Sequence, residues 1–153
     1  MTPYKLLETL ETWLKTDTTL TYIEAVYIDL YPSDTLPTFE NYCICISPTN
    51  RDKDLIANRL EQLTIGVDIV CIVRNFNQRL SIIGTESGQV GIMKMIEDVS
   101  LSLFNFGEAT TNLDIRYDET QPVEYKNKKY KDREGFFREH ILPYSVRLKP
   151  KIF

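Results

Sequence analysis

The chain has 153 residues, 42% hydrophobic, 26% charged and 11% aromatic, with a formal net charge of −4 and a sequence pI near 5.1. That size fits one domain with its own core, the aromatic content excludes a disordered chain, and no run approaches the ~20 apolar residues of a membrane span. The charge is unevenly placed: residues 1–123 carry 18 acids and 9 bases, residues 124–153 carry 4 acids and 9 bases.

In chain order, Thr2 and Pro3 supply an N-cap and a first-turn proline. Leu6, Leu7, Leu10, Trp13 and Leu14 then recur at helical spacing, which predicts a helix ended by the polar run 16–19. Glu8 and Glu11 interrupt this stretch, so it does not read as a signal peptide, and the default compartment is the cytoplasm of the cell that makes the chain. Residues 22–31 are rich in β-formers and predict a strand. Pro32 and Pro37 bracket a loop. A second strand is expected at 42–47, closed by Pro48, with 50–60 a loop or short helix.

From Leu63 to Val73 every second residue is apolar, a period of two that predicts a long strand over about 61–75. Ser87 is the expected N-cap of a second helix. Its apolar stripe is Val90, Met93, Ile96, Val99, Leu103 and Phe104, and Gly107 is its stop. Strands follow at about 113–117 and 122–126. Residues 136–152 read as extended, and Pro143 and Pro150 make them irregular or an edge. The order predicts a single α+β domain: a mostly antiparallel sheet with a long central strand, packed by two main helices.

The chemistry-bearing residues are sparse. Cys43 and Cys45 are expected on opposite faces of a strand, and their spacing does not make a zinc knuckle. Reduced, buried thiols are the expectation, with no metal and no cofactor. With one histidine, His140, and no nucleophile elbow, a catalytic triad does not assemble from this sequence. Asp114, Glu124 and Lys126 follow the acid then Glu-x-Lys pattern of metal-dependent restriction-type nucleases, in which two carboxylates hold Mg²⁺ and a lysine steadies water or phosphate. The basic run Lys126, Lys128, Lys129, Lys131 and Arg133 is interleaved with Tyr125 and Tyr130. It suits contact with phosphate or with an acidic protein surface, although the acidic chain as a whole argues against a dedicated nucleic-acid binder.

The succession of the helix Leu6–Leu14, the proline loop 30–37, the long strand ending at Val73, the single long helix Val90–Phe104 and the closing strands resembles the tail terminator and tail-completion proteins of tailed bacteriophages, including the minor tail protein U group. It is carried by element order and length over roughly residues 3–150. The resemblance implies a virion structural protein, not an enzyme: a subunit of a hexameric ring that caps the tail tube and joins it to the neck. Its implied partners are copies of itself, tail tube and neck or connector proteins, the tail sheath, and DNA in passing; a membrane is not among them. A head-completion adaptor is the nearest alternative. Contacts are expected from the 32–40 loop, the 50–60 segment and the basic loop, which singles out Asp34, Phe39, Arg51, Lys53, Lys126, Lys128, Lys129 and Lys131.

Overall fold

The computed structural model describes residues 1–32, 36–57, 60–84, 89–118, 125–130, 133–149 and 151–152. The fold is α+β. Helix α1 (Pro3–Thr16) is followed by a 3-10 turn (Thr18–Leu20), then β1 (Ala25–Ile28), β2 (Tyr42–Ala57) and β3 (Leu60–Asn75). A short α2 (Gln78–Ile83) and the long α3 (Ile92–Ala109) come next. The chain continues through β4 (Leu113–Tyr117), β5 (Tyr125–Lys128), β6 (Phe136–Leu148) and β7 (Lys151–Ile152). Among the described residues the strands form one sheet in the order β1-β2-β3-β6-β4, with β5 also on β6 and β7 also on β3. Only β1 on β2 is parallel.

The pairings align residues in rows across the sheet. Ala25, Cys43, Ile72, Glu139 and Lys126 form a lower row. Asp52, Thr64, Arg147 and Asp114 form an upper one. Alternation along each strand sends side chains to two faces. On one face Ile44, Ile69, Leu142 and Val146 meet Leu6, Leu10 and Leu14 of α1 and Met95, Val99, Leu103 and Phe106 of α3. On the other, Cys43, Cys45, Val70, Ile72 and Phe137 are covered by Phe39 and Tyr130, which come from loops rather than helices.

The long central strand is where period two places it. Its neighbour corrects the reading of Pro48 as a stop and of 50–60 as loop or helix: β2 runs on through Pro48 to Ala57, so 50–57 is strand, while 58–59 lie outside the described residues. Proline is tolerated there because β1 ends opposite Ile46, and a bulge follows between Pro48 and Arg51. Gly66 lies beneath that bulge, and a Cβ on it would collide with the side chains of Thr49 and Asn50.

Residues 136–148 likewise correct the expectation of an irregular or edge segment, since β6 lies between β3 and β4. The Pro143 carbonyl accepts the Asp118 amide at 2.9 Å, just beyond the last β4 pair, Tyr117 with Tyr144. The amide that proline lacks therefore points to the end of the β4 ladder, where it interrupts nothing. The first strand is shorter than 22–31. Before it, the Glu24 carboxylate accepts the amides of Glu40 at 2.6 Å and Asn41 at 2.7 Å, which fixes the entry to β2.

Helix α3 begins at Ile92 with Gly91 at its N-cap; the expected cap, Ser87, lies outside the described residues. Gly107 does not stop it, because the helix continues to Ala109. The buried stripe is rotated from the expected one, since Met93 and Phe104 are exposed. Cys43 and Cys45 share a face, correcting their expected divergence: residues two apart on a strand point the same way. All three cysteines are free and buried.

Candidate interaction surface

Two features distinguish the surface, and both follow from how the sheet ends. The first is a groove of about 430 Å³ between α3 and the β4–β6 pair. Ile96, Ser100, Leu103 and Phe104 form its helix wall, Ile115 and Tyr117 its strand wall, and His140, Leu142 and Tyr144 its floor. The floor exists because the even-numbered residues of β6 face the helices. Tyr117 and Tyr144 meet edge-on at 5.6 Å, and burial pushes the Tyr144 hydroxyl up to about 12, against a lowering hydrogen bond with Ser100. Phe104 is 63% exposed and the nearby Leu101 53%. An apolar concavity beside solvent-exposed aromatics is a surface suited to contact.

The groove borders an open sheet edge. Among the described residues nothing pairs with the outer side of β4. Arg116 binds Asp114 at 2.9 Å on the face away from the helices, while Leu113, Ile115 and Tyr117 face the groove side.

The second feature is the far half of β2. Beyond Ile46 it pairs only with β3 among the described residues. Arg51 and Lys53 share its helix face, and Lys53 reaches Glu61 at 3.0 Å. Asp52 takes the other face.

The other sequence-derived contact residues scatter. Phe39 is buried in the second core, 6.2 Å from Phe137 in an edge-on pair. Arg133 lies over its ring and donates to the Leu36 carbonyl at 2.6 Å. Lys126 and Lys128 stand opposite Glu139 and Phe137 in the β5–β6 ladder. Lys129 is exposed, with its ammonium 5.3 Å from the Phe136 ring. Asp34 and Lys131 lie outside the described residues. Strands β5 and β2 are separated by β6 and β3, so these basic positions do not lie together on the sheet.

The nuclease constellation does not come together. Asp114 pairs with Arg147 and Lys126 with Glu139. These partners are eight residues apart on β6, roughly 26 Å at ~3.3 Å per residue, too far for Lys126 to act on water or phosphate at a metal held by Asp114. Glu124 lies outside the described residues. Among the described residues no group of three or more His, Cys, Asp or Glu is placed to hold a metal, and no helix is long and apolar enough to cross a membrane.

Sequence reasoning missed the groove because it assigned Phe104 to the core stripe. The available signal was that Leu101 and Phe104 together make the apolar arc of α3 wider than one face needs. No family model matches the chain, and neither does any curated protein.

Proposed function

We propose that this protein is a structural assembly subunit of the tail-terminator kind, acting in the virion as a ring that caps the tail tube and joins it to the neck. The observation that carries the reading is the groove of α3 and β4 lying beside an open sheet edge. Exposed apolar side chains next to unpaired ladder groups form a surface for another polypeptide. The open edges of β4 and of the far half of β2 also differ in character: β4 is flanked by apolar residues and β2 by charge. Dissimilar edges suit head-to-tail contacts, which close into a ring when the rotation is right. The basic residues Lys126, Lys128 and Lys129 give the acidic body a site for complementary charge on a neighbour or on DNA in passing.

Mass measurement in solution, together with electron microscopy of the protein alone and mixed with tail tubes, tests this reading. A six-fold ring, or a disc at tube ends, is the expected result. Replacing Lys126, Lys128, Lys129 and Lys131 with Glu is expected to disrupt it. A chain that stays monomeric and ignores tube ends would overturn the reading.

A further inference from the structure

Among the described residues, the open edge of β4 and that of the far half of β2 answer differently to a second copy of themselves. The bonds flanking the β4 ladder are Lys149 amide to Asn112 carbonyl and Asp118 amide to Pro143 carbonyl. They turn the even-numbered residues of β4 toward β6. By alternation, Leu113, Ile115 and Tyr117 aim their N–H and C=O groups outward, away from the sheet.

Two identical edges can pair side by side and antiparallel only about a two-fold axis perpendicular to the sheet. That operation keeps each face on its own side, so every residue meets a partner from the same face. On β4 the outward-aimed residues can then pair Ile115 with Ile115 and Leu113 with Tyr117. Each pair would exchange both backbone hydrogen bonds. In that register Asp114 of one copy lies opposite Arg116 of the other, twice over. Their side chains are 48% and 76% exposed, on the face away from the helices. Ile115 and Tyr117 also line the groove, so the same register brings the two grooves and both Phe104 rings to one seam.

On β2 the same operation fails. Arg51 and Lys53 share one face and Asp52 holds the other, so the two-fold pairing centred on Asp52 sets base against base and acid against acid. Like charges directly opposite destabilise a ladder. The β2 edge is thus unfavourable in the register centred on its charged run, whereas the β4 edge is self-complementary in the register centred on Ile115.

We propose that β4 is a two-fold docking edge for a second copy of this chain, centred on Ile115 and locked by reciprocal Asp114–Arg116 pairs. The contact draws on the β4 edge that the ring reading also uses but on a different operator, so a two-fold pair and a head-to-tail ring are alternative uses of one edge.

The test is the mass in solution of the intact chain and of two variants, Asp114→Arg and Arg116→Asp. The wild type is expected to be a pair at micromolar concentration. Each variant opposes like charges at the seam and is expected to be monomeric with an unchanged circular dichroism spectrum. An equimolar mixture of the two variants makes every cross-seam pair opposite in charge and is expected to restore the pair. A monomeric wild type, variants that keep the wild-type mass, or a mixture that stays monomeric would each overturn the proposal. Six-fold particles on tube ends report on the ring separately.

Discussion

The Tyr130 hydroxyl donates to the Glu139 carboxylate at 2.7 Å, and this bond fastens the segment after β5 to the floor of the second core. Glu139 is 1% exposed. Burial, and then the Glu139 carboxylate, push the ionisation of both Tyr130 and Tyr31 upward, so both phenols stay protonated and able to donate at neutral pH. Removing one donor leaves a buried carboxylate less satisfied, which costs about 1–3 kcal/mol. Tyr130→Phe is therefore expected to lower stability by that amount in urea unfolding. A change below about 0.5 kcal/mol would mean that other donors carry Glu139.

Helices α1 and α3 are tied by polar atoms as well as by their apolar faces. Trp13 Nε1 donates to the Ser102 carbonyl and hydroxyl, each at 3.1 Å, and the Ser102 hydroxyl donates to Asp17. Burial pushes the Asp17 carboxyl up, but hydrogen bonds from Ser102 and Thr19 outweigh it and hold the group below its ordinary value. A carboxyl depressed by folding adds stability above its ordinary pKa and loses it as pH falls through the folded value. Ser102→Ala is expected to cost about 1–2 kcal/mol at pH 7, with the difference from wild type shrinking under acid. A gap that stays constant from pH 7 to pH 2 would contradict this.

The three thiols give an alkaline counterpart. Burial pushes Cys71 up to about 12. Burial also raises Cys45, offset in part by a hydrogen bond with Tyr27, to about 11; Cys43 is raised as well, first by burial. An acid whose pKa rises on folding stabilises fully below its unfolded value, and that stability is lost as pH climbs through the folded one. Native protein at pH 8 is expected not to react with a thiol reagent until denaturant is added, and its urea midpoint is expected to fall above pH 9. Rapid labelling of the native chain would show that the second core opens readily.

The junction of α2 and α3 allows no side chain at Gly91, where a Cβ would collide with the Ile82 carbonyl and the Gly84 amide. Backbone cannot swing aside as a side-chain tip can. Gly91→Ala is expected to cost about 1–3 kcal/mol, as overpacking does. Thermal unfolding of the variant measures it, and an unchanged midpoint would mean the junction gives way freely.

Phe104 supplies the matching control on the groove. A side chain so exposed contributes little to folding, and surface substitutions stay within about 0.5 kcal/mol. Phe104→Ser is expected to leave the unfolding curve in place while weakening self-association in sedimentation. Loss of stability without loss of association would assign Phe104 to the core after all.

What the sequence disclosed followed from periodicity. The alternation from Leu63 to Val73 located β3, and Thr2-Pro3 with the leucine repeat located α1, because in both cases local pattern and burial agree. The misses share a different cause. Pro48 and Pro143 read locally as breaks, yet each sits where its missing amide does no harm, at a bulge or at the end of a neighbouring ladder. Whether that holds depends on which strand lies alongside, and this is long-range information. The same gap hid the separation of Asp114 from Lys126: twelve residues apart in sequence, they reach opposite ends of one strand because β4 and β5 occupy different stretches of β6.

Strand β6 also sets a timetable. Among the described residues it alone joins β3 to β4 and β5, and it is synthesised after all three. Until residues 136–148 leave the ribosome, the β2–β3 hairpin has one side without its ladder partner, and β4 and β5 have no sheet to join. The nascent chain must therefore hold an apolar strand edge open while residues 76–135 are made, so depletion of edge-binding chaperones would be felt by this protein during its synthesis.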